Sequence, residues 1–261
     1  TAMQLRRNRS TRSLWDPNYV DETWINDRVR LIPRLRQWVA DRYPGTKIGI
    51  MEYNWGAEGH MNGATAQADV LGIFGREGLD MAARWTTPAV GSPAYLAIKL
   101  YRNYDGQGST FGDTSVAAVA PNPDQLAAFA AERSSDGALT VMLVNKSLAG
   151  STPVTVNLAG FTGTGVAEVW QLATAASGIV RRPDAVVGAS SLSITLPQQS
   201  VTLLVLRAAP AADTPGIYAP SSGAWFLRNA SSSGAADLLF TYGPAGGAVV
   251  PISGDWDGDG V

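Results

Sequence analysis

The chain has 261 residues, of which 45% are hydrophobic and 16% charged, and its formal net charge is −2. This composition predicts a globular protein with a sizeable core, and the small net charge gives no field that would gather nucleic acid or anionic lipid. Cysteine is absent and histidine occurs once, which excludes disulfides and argues against a zinc site or a Ser-His-Asp triad. Carboxylates beside aromatic rings remain abundant, with eight Trp and eight Tyr.

The beginning of the chain is basic, with arginines at positions 6, 7, 9 and 12. We interpret this cluster as a solvated tail or loop and not as a polyanion site. No apolar run approaches the roughly 20 residues of a membrane span, so no membrane partner is expected. The opening Thr1-Ala2-Met3-Gln4 has neither an initiator methionine nor a leader, and we expect a fragment or a processed piece.

Residues 1 to about 105 alternate helix and strand signals. Helices are predicted from Pro33 to Tyr43, from Ala64 to Arg76 and after a Ser92-Pro93 cap, and strands from Lys47 to Asn54 and from Leu79 to Trp85. On the first helix Trp38 shares an inward face with Leu35 and Val39, which predicts that Trp38 is a core residue. This alternation indicates α/β architecture, of (β/α) barrel or open-sheet type, over residues 1–105.

From about residue 110 the pattern changes to short β-rich runs separated by turns. The runs span residues 139–144, 154–158, 166–172, 192–196 and 201–206, and the one helical period falls at Asp124 to Glu132. Evenly spaced strands predict an all-β sandwich over residues 106–207. The segment Ala208 to Asp213 is typical of a linker, and it opens a turn-rich third unit that occupies residues 208–261.

Glu52 lies at the end of the first predicted strand, within the sequence MEYNWG. In βα barrels the active site is built at this end of the strands. A carboxylate there, beside aromatic rings, is placed to attack or stabilise an anomeric carbon. An ordinary strand-end salt bridge is the alternative, and the strand alone does not decide between the two.

Six collinear motifs resemble glycoside hydrolase family 44. They are RSLWDP at residues 12–17, RLIPRL at 30–35, EYNWGAE at 52–58, NGATAQAD at 62–69, ARWTTP at 83–88 and YRNYDG at 101–106. The resemblance covers about residues 10 to 207. It implies a (β/α) barrel followed by a β-sandwich, and a retaining endo-β-1,4-glucanase acting on cellulose derivatives, xyloglucan and sometimes xylan or lichenan.

By this resemblance Glu52 is the catalytic nucleophile, and no cofactor is required for catalysis. Substrate contacts are expected from Trp24, Tyr53, Asn54, Trp55, His60 and Trp85, the aromatic rings serving as platforms or walls of the sugar cleft. Core packing is the alternative for each of these tryptophans, and an ordinary loop residue is the alternative for His60. Trp170 is assigned to the core of the sandwich.

The chain departs from the family in its second catalytic carboxyl group. Retaining hydrolysis needs an acid/base about 5–5.5 Å from the nucleophile, and in the family this Glu comes from an earlier barrel strand, which would precede Thr1. Glu22 and Glu58 are the only obvious substitutes, and neither matches the family motif. We therefore expect the chain alone not to complete the reaction, and we expect its partial barrel to leave an open parallel edge.

The tail carries a second motif, DWDGDG, with carboxylates at Asp255, Asp257 and Asp259. Alternating carboxylates followed by a glycine are typical of a calcium loop. With the segments at residues 215–218, 225–229 and 240–244, the motif resembles one unit of the FG-GAP-like extracellular repeats. A structural calcium ion is one interpretation, and an acidic turn without metal is the other.

Two functions of different class follow from these observations. The first is a secreted, extracellular hydrolase whose partner is a β-1,4-glucan polysaccharide. The second is a non-catalytic β-rich module that binds glucan or attaches to a surface through calcium. The sequence predicts neither the preferred β-glucan nor the oligomeric state.

Overall fold

The computed structural model describes residues 1–161, 163–174, 177–208, 216–228, 233–243 and 245–246. The chain forms two compact units, residues 1–208 and 209–261. The boundary that the sequence predicts near residue 105 falls inside the first unit, because the early helices and the later strands share a core.

The first unit contains four α-helices and ten strands among its described residues. The helices are α1 Ala2–Ser10, α2 Leu31–Arg42, α3 Met61–Arg76 and α4 Pro93–Arg102, and a 3-10 helix spans Thr11–Leu14. The strands are β1 Gly49–Tyr53, β2 Met81–Arg84, β3 Thr114–Val116, β4 Leu126–Arg133, β5 Ala138–Asn145, β6 Thr152–Asn157, β7 Gly163–Leu172, β8 Val180–Val186, β9 Ser191–Leu196 and β10 Ser200–Ala208.

Strands β1 and β2 form a two-stranded parallel sheet. Gly49 pairs with Met81 and Ile50 with Ala82, and the register then shifts before Tyr53 pairs with Arg84. Between these pairs β1 advances by three residues and β2 by two. The extra residue in β1 is a β-bulge next to Glu52. Parallel pairing with helix α3 between the strands is the βα unit that the alternating pattern predicted.

The remaining strands form a six-stranded antiparallel sheet in the order β3-β4-β5-β10-β7-β8 and a two-stranded sheet of β6 and β9. Strand β5 is buried along its whole length. Its residues Met142 and Val144 face a core shared with α3 and α4, whereas Val141 and Leu143 face a second core shared with β9. The large sheet is therefore covered on both faces.

A buried ion pair connects three segments of this unit. The Lys146 ammonium donates to Asp69 Oδ2 of α3 at 2.6 Å, to the Pro123 carbonyl at 2.7 Å and to the Asn8 carbonyl of α1 at 3.3 Å. The two side chains of the pair are 2% and 3% exposed. All three donor hydrogens of the ammonium are used, which compensates for its burial.

Three predictions from the sequence are wrong. The region Asp124 to Glu132 is not helical, because β4 alternates buried and half-buried residues and pairs with β5. The N-terminal arginines are not a solvated tail, because they lie on α1 and the 3-10 helix and bond to partners such as Trp55 and Asp16. Trp38 is not in the core, because α2 buries only Ile32 and leaves the indole 57% exposed.

In the second unit the described residues form a three-stranded antiparallel sheet of β11 Gly216–Ala219, β12 Ala224–Leu227 and β13 Leu238–Thr241. Asp255, Asp257 and Asp259 lie outside the described residues, so the calcium loop stays a prediction. Within the described ranges there is no cluster of three or more His, Cys, Asp or Glu side chains suited to a metal. None of the described helices is long and apolar enough to cross a membrane.

Candidate active site

Glu52 is exposed at the bulge near the carboxyl end of β1. Because the bulge inserts one residue, Tyr53 falls on the same face as the half-buried Ile50, and both pack against the core. Glu52 is thereby turned away from the helices to the open side of the two-stranded sheet. Among the described residues, no hydrogen bond or ion pair engages its carboxylate.

Tyr53 lies in the core and not in an open cleft. Its ring meets Phe74 of α3 edge to face at 5.1 Å between centroids, and its hydroxyl accepts a hydrogen bond from Gln67 Nε2 at 3.1 Å. Burial raises the pKa of the Tyr53 hydroxyl, which keeps it protonated. The placement gives Tyr53 a packing role that anchors the strand carrying Glu52, and it separates this ring from the exposed aromatic residues.

Arg84, which the sequence analysis did not single out, connects the ends of β1 and β2. Its Nε donates to Gln67 Oε1 at 2.9 Å, and its Nη2 donates to Glu58 Oε1 at 2.7 Å and to Asn54 Oδ1 at 3.2 Å. The guanidinium also bonds to the Thr86 carbonyl, and the side chain is 8% exposed. In the sequence, the only signal for a role of Arg84 is its position at the end of β2, within the ARWTTP motif.

Trp55 and Trp85 are placed differently. The Trp55 indole is half-buried, packs against the core and donates from Nε1 to Ser10 Oγ at 3.0 Å. Trp85 directly follows β2, donates its backbone N–H to the Tyr53 carbonyl at 2.9 Å and is 60% exposed. Trp85 therefore presents an aromatic face to solvent just after the strand that pairs with β1, whereas Trp55 fixes α1 against the loop after β1.

Asn54 and His60 both stabilise the loop between β1 and α3. Asn54 Oδ1 accepts from the Gly56 backbone N–H at 2.6 Å. His60 is the N-cap of α3, where its Nδ1 accepts from the Asn62 backbone N–H at 2.9 Å. The imidazole is exposed, but the cap bond fixes its orientation. Both side chains thus have structural partners in the protein.

Trp24 is 93% exposed, the largest exposure among the described large hydrophobic residues. It lies between the 3-10 helix and α2, next to Glu22. Glu22 is ion-paired with Arg9 at 2.7 Å, and Glu58 is ion-paired with Arg84. Neither of the two candidate substitutes for the second catalytic carboxyl group is therefore free to act as a proton donor without breaking an ion pair.

Glu52 is thus an exposed carboxylate without a partner among the described residues, and Trp85 follows the strand that pairs with β1. Trp24 lies on a separate segment, between the 3-10 helix and α2. Carboxylates and flat aromatic faces are the residue types of sugar sites. Reasoning from the sequence named Glu52, Trp85 and Trp24, and their roles stay predictions. It missed Arg84 and Gln67, whose contribution depends on contacts between β2 and α3.

Comparisons with known proteins find similarity to glucanases. No protein-family model matches the chain. It is similar to Endoglucanase A of Paenibacillus lautus, 33% identical over 211 residues, which covers 78% of this chain and 30% of that protein. It is also similar to the crystal structure of CelM2, a bifunctional glucanase-xylanase from a metagenome library, with a TM-score of 0.79 and 68% identity over 80% of this chain and 40% of that one.

A third match is the structure of a Paenibacillus polymyxa xyloglucanase of glycoside hydrolase family 44 with xyloglucan. It has a TM-score of 0.74 and 32% identity, and the match covers 79% of this chain and 42% of that chain. These matches confirm the resemblance to family 44 that the motifs indicated. The chain spans about two fifths of the length of the solved structures that it matches and 30% of the curated endoglucanase.

Proposed function

We propose that this chain is part of a retaining glycoside hydrolase of family 44 that cleaves β-1,4-glucans of the cellulose or xyloglucan type. The observation that carries the proposal is Glu52, an exposed carboxylate without a partner among the described residues, turned to the open face of the parallel sheet by a bulge. An unpaired carboxylate at the carboxyl end of a strand in a βα unit is suited to catalysis.

In the proposed reaction Glu52 attacks the anomeric carbon, and the bond to the leaving sugar oxygen breaks as that oxygen takes up a proton. Water then hydrolyses the glycosyl-enzyme and releases Glu52. Because Glu22 and Glu58 are held in ion pairs, we assign the proton donor to the part of such enzymes that this chain does not span. The chain supplies the nucleophile and the stacking surfaces.

The substrate class follows from the exposed indoles. Trp24 and Trp85 present flat apolar faces to solvent, and such faces stack on the apolar faces of glucose rings in a polymer. The relatives that the comparisons found act on glucans, with xylan activity in the bifunctional enzyme. We propose a secreted, extracellular location, where such polymers occur, and a catalytic step that needs no cofactor.

The tail motif supports a separate proposal that depends on the sequence alone. The spacing of Asp255, Asp257 and Asp259 is suited to one calcium ion, which would stabilise the second unit and take no part in hydrolysis.

Replacement of Glu52 by Gln tests the assignment of the nucleophile. In a preparation active on carboxymethyl-cellulose or xyloglucan, we expect Glu52→Gln to lower kcat by at least about 10³-fold, because the amide cannot form the glycosyl-enzyme. Glu77→Gln is the matched control, since Glu77 is ion-paired with Arg76 at the far end of α3, and we expect it to keep activity within twofold. Activity of Glu52→Gln within a few-fold of the parent protein would contradict the proposal.

A non-catalytic glucan-binding module is the second candidate. It is favoured by the ion pairs of Glu22 and Glu58, which leave Glu52 without an evident acid partner among these residues. Affinity electrophoresis in gels that contain soluble glucan separates the two candidates. Retardation without release of reducing sugar, unchanged by Glu52→Gln, would favour the module.

A further inference from the structure

We propose that Glu22 is a positioning residue that holds the segment carrying Trp24 in one conformation, so that the Trp24 indole is displayed for a glucose ring. The inference depends on the proposed function, because it takes the ligand to be a β-1,4-glucan. It assigns to Glu22 a role different from that of the missing acid.

Glu22 is held from three directions. Its carboxylate accepts two hydrogen bonds from the Arg9 guanidinium, at 2.7 and 2.9 Å, and one from the Tyr19 hydroxyl at 2.9 Å. Its backbone carbonyl accepts a bond from Arg6. A two-point bond between a guanidinium and a carboxylate fixes distance and orientation together. The residue before Thr23 and Trp24 is therefore fixed to helix α1.

The neighbouring residue Asp21 closes the same segment on itself. Its backbone N–H donates to the Asp27 carbonyl at 2.9 Å, so residues 21–27 form a closed loop around Trp24. Its carboxylate accepts from the Thr23 backbone N–H at 2.9 Å and from Ser13 Oγ at 2.9 Å. Both ends of the short segment are therefore bound to the protein, while the indole between them has no cover.

At 93% exposure the Trp24 indole gains almost none of the stabilisation that burial of an aromatic side chain provides. A flexible loop would let the ring fold back onto the protein. The bonds of Glu22 and Asp21 oppose that movement, and they lower the entropy lost when a sugar ring stacks on the indole.

The same contacts explain why Glu22 is unsuited to proton donation. The Arg9 hydrogen bonds lower the pKa of Glu22, so that the carboxylate is ionised at neutral pH. Burial and the bond to Glu22 raise the pKa of Tyr19, so that its hydroxyl stays a donor. These pKa shifts favour Glu22 as a permanently ionised hydrogen-bond acceptor and not as a group that exchanges protons in each catalytic cycle.

A double-mutant cycle of Glu22 and Trp24 tests the inference. We would measure binding of cellohexaose by calorimetry in the full chain, in a Glu52→Gln background that prevents turnover. We expect Trp24→Ala to raise Kd about tenfold and Glu22→Ala about three- to tenfold. When Trp24 is already Ala, we expect Glu22→Ala to change Kd by less than about 1.5-fold, because Glu22 acts through the indole. Glu77→Ala is the matched control.

Amide hydrogen exchange over residues 20–28 provides the second readout. We expect Glu22→Ala to speed exchange of the Asp21 amide about tenfold or more, and we expect Glu22→Gln, which keeps an acceptor for Tyr19, to have a smaller effect. The role of Glu22, but not that of Trp24, would be overturned by either of two results. One is an unchanged rate of amide exchange, and the other is a double variant in which the two effects on Kd multiply. An unchanged Kd in Trp24→Ala would overturn the inference and leave the proposed function standing. Absence of binding by the parent chain would overturn both the inference and the proposed function.

Discussion

At the scale of single residues, the buried ion pair of Lys146 and Asp69 is the contact whose loss should cost most. We expect Lys146→Met to lower the free energy of unfolding of residues 1–208 by about 3–5 kcal/mol, because the Asp69 carboxylate would remain buried without its cation. Three segments would also lose a shared bond, since the ammonium joins α1, α3 and the Pro123 carbonyl. Urea unfolding followed by circular dichroism measures the change.

The double variant Lys146→Met with Asp69→Leu separates charge from packing. Since it removes both charges together, we expect it to recover at least half of the loss. A double variant that loses as much stability as Lys146→Met and Asp69→Leu together would show that the two charges are not coupled. The comparison needs no activity, so it is independent of the proposed function.

The position of Glu52 could be predicted from the sequence, but its surroundings could not. A strand ending in polar and aromatic residues indicates that a carboxylate lies near an active-site edge. The bulge that sends Glu52 to the open side and Tyr53 into the core adds one residue to the pairing. No alternation of residue types reveals such an insertion, so Tyr53 was grouped with the aromatic residues of the cleft.

At the scale of elements, helix α3 shows how close packing depends on glycine. Of its 16 residues, 13 are buried, and a Cβ at Gly72 would lie 2.2 Å from the Phe129 ring of β4. We expect Gly72→Ala to lower stability by about 1–3 kcal/mol, because the helix or the ring must move. Thermal unfolding measures the shift, and adding Phe129→Leu should restore part of it.

Gly75 provides the matched control on the same helix. A Cβ there meets nothing within 4 Å, so the same substitution tests helix propensity without the clash. We expect Gly75→Ala to raise stability by about 0.5–1 kcal/mol. Equal effects of the two substitutions would contradict the close approach of α3 to the sheet.

Strand β4 shows how local residue preference can favour the wrong secondary structure. Its sequence LAAFAAER is rich in helix formers, yet it forms the second strand of the large sheet. Ala127, Phe129 and Ala131 alternate on the buried face, and small alanine side chains let α3 approach. The tertiary partner, which lies more than fifty residues away on α3, overrides the local signal.

At the scale of the whole molecule, one sheet with a core on each face joins the helical segment to the strands that follow it. The βα alternation and the later strand-rich region were each visible as local periodicity. The packing of these two regions into one unit was not visible, because it depends on which face of β5 meets α3 and which meets β9. The exposure of Trp38 could not be predicted for the same reason, since a helical period does not reveal which elements cover a given face of the helix.

The ion pairs distributed over this unit predict its response to acid. The Arg9 hydrogen bond lowers the pKa of Glu22 from its ordinary 4.5, and the Arg133 hydrogen bond lowers that of Asp136 from 3.8. A carboxyl group whose pKa is lower in the folded state contributes stability above its unfolded pKa and loses it as pH falls through the folded value. We therefore expect stability to be level from pH 7 to about 5 and to fall below about pH 4.5.

Each pair is partly exposed, so solvent limits its share to at most about 1 kcal/mol. The double variant Glu22→Gln with Asp136→Asn should be less stable than the parent at pH 6 and should lose less on acidification to pH 3. Urea midpoints at the two pH values, for both proteins, measure that difference. An acid-induced loss as large in the double variant as in the parent would assign the acid response to other carboxylates, and 0.5 M salt should reduce the difference in any case.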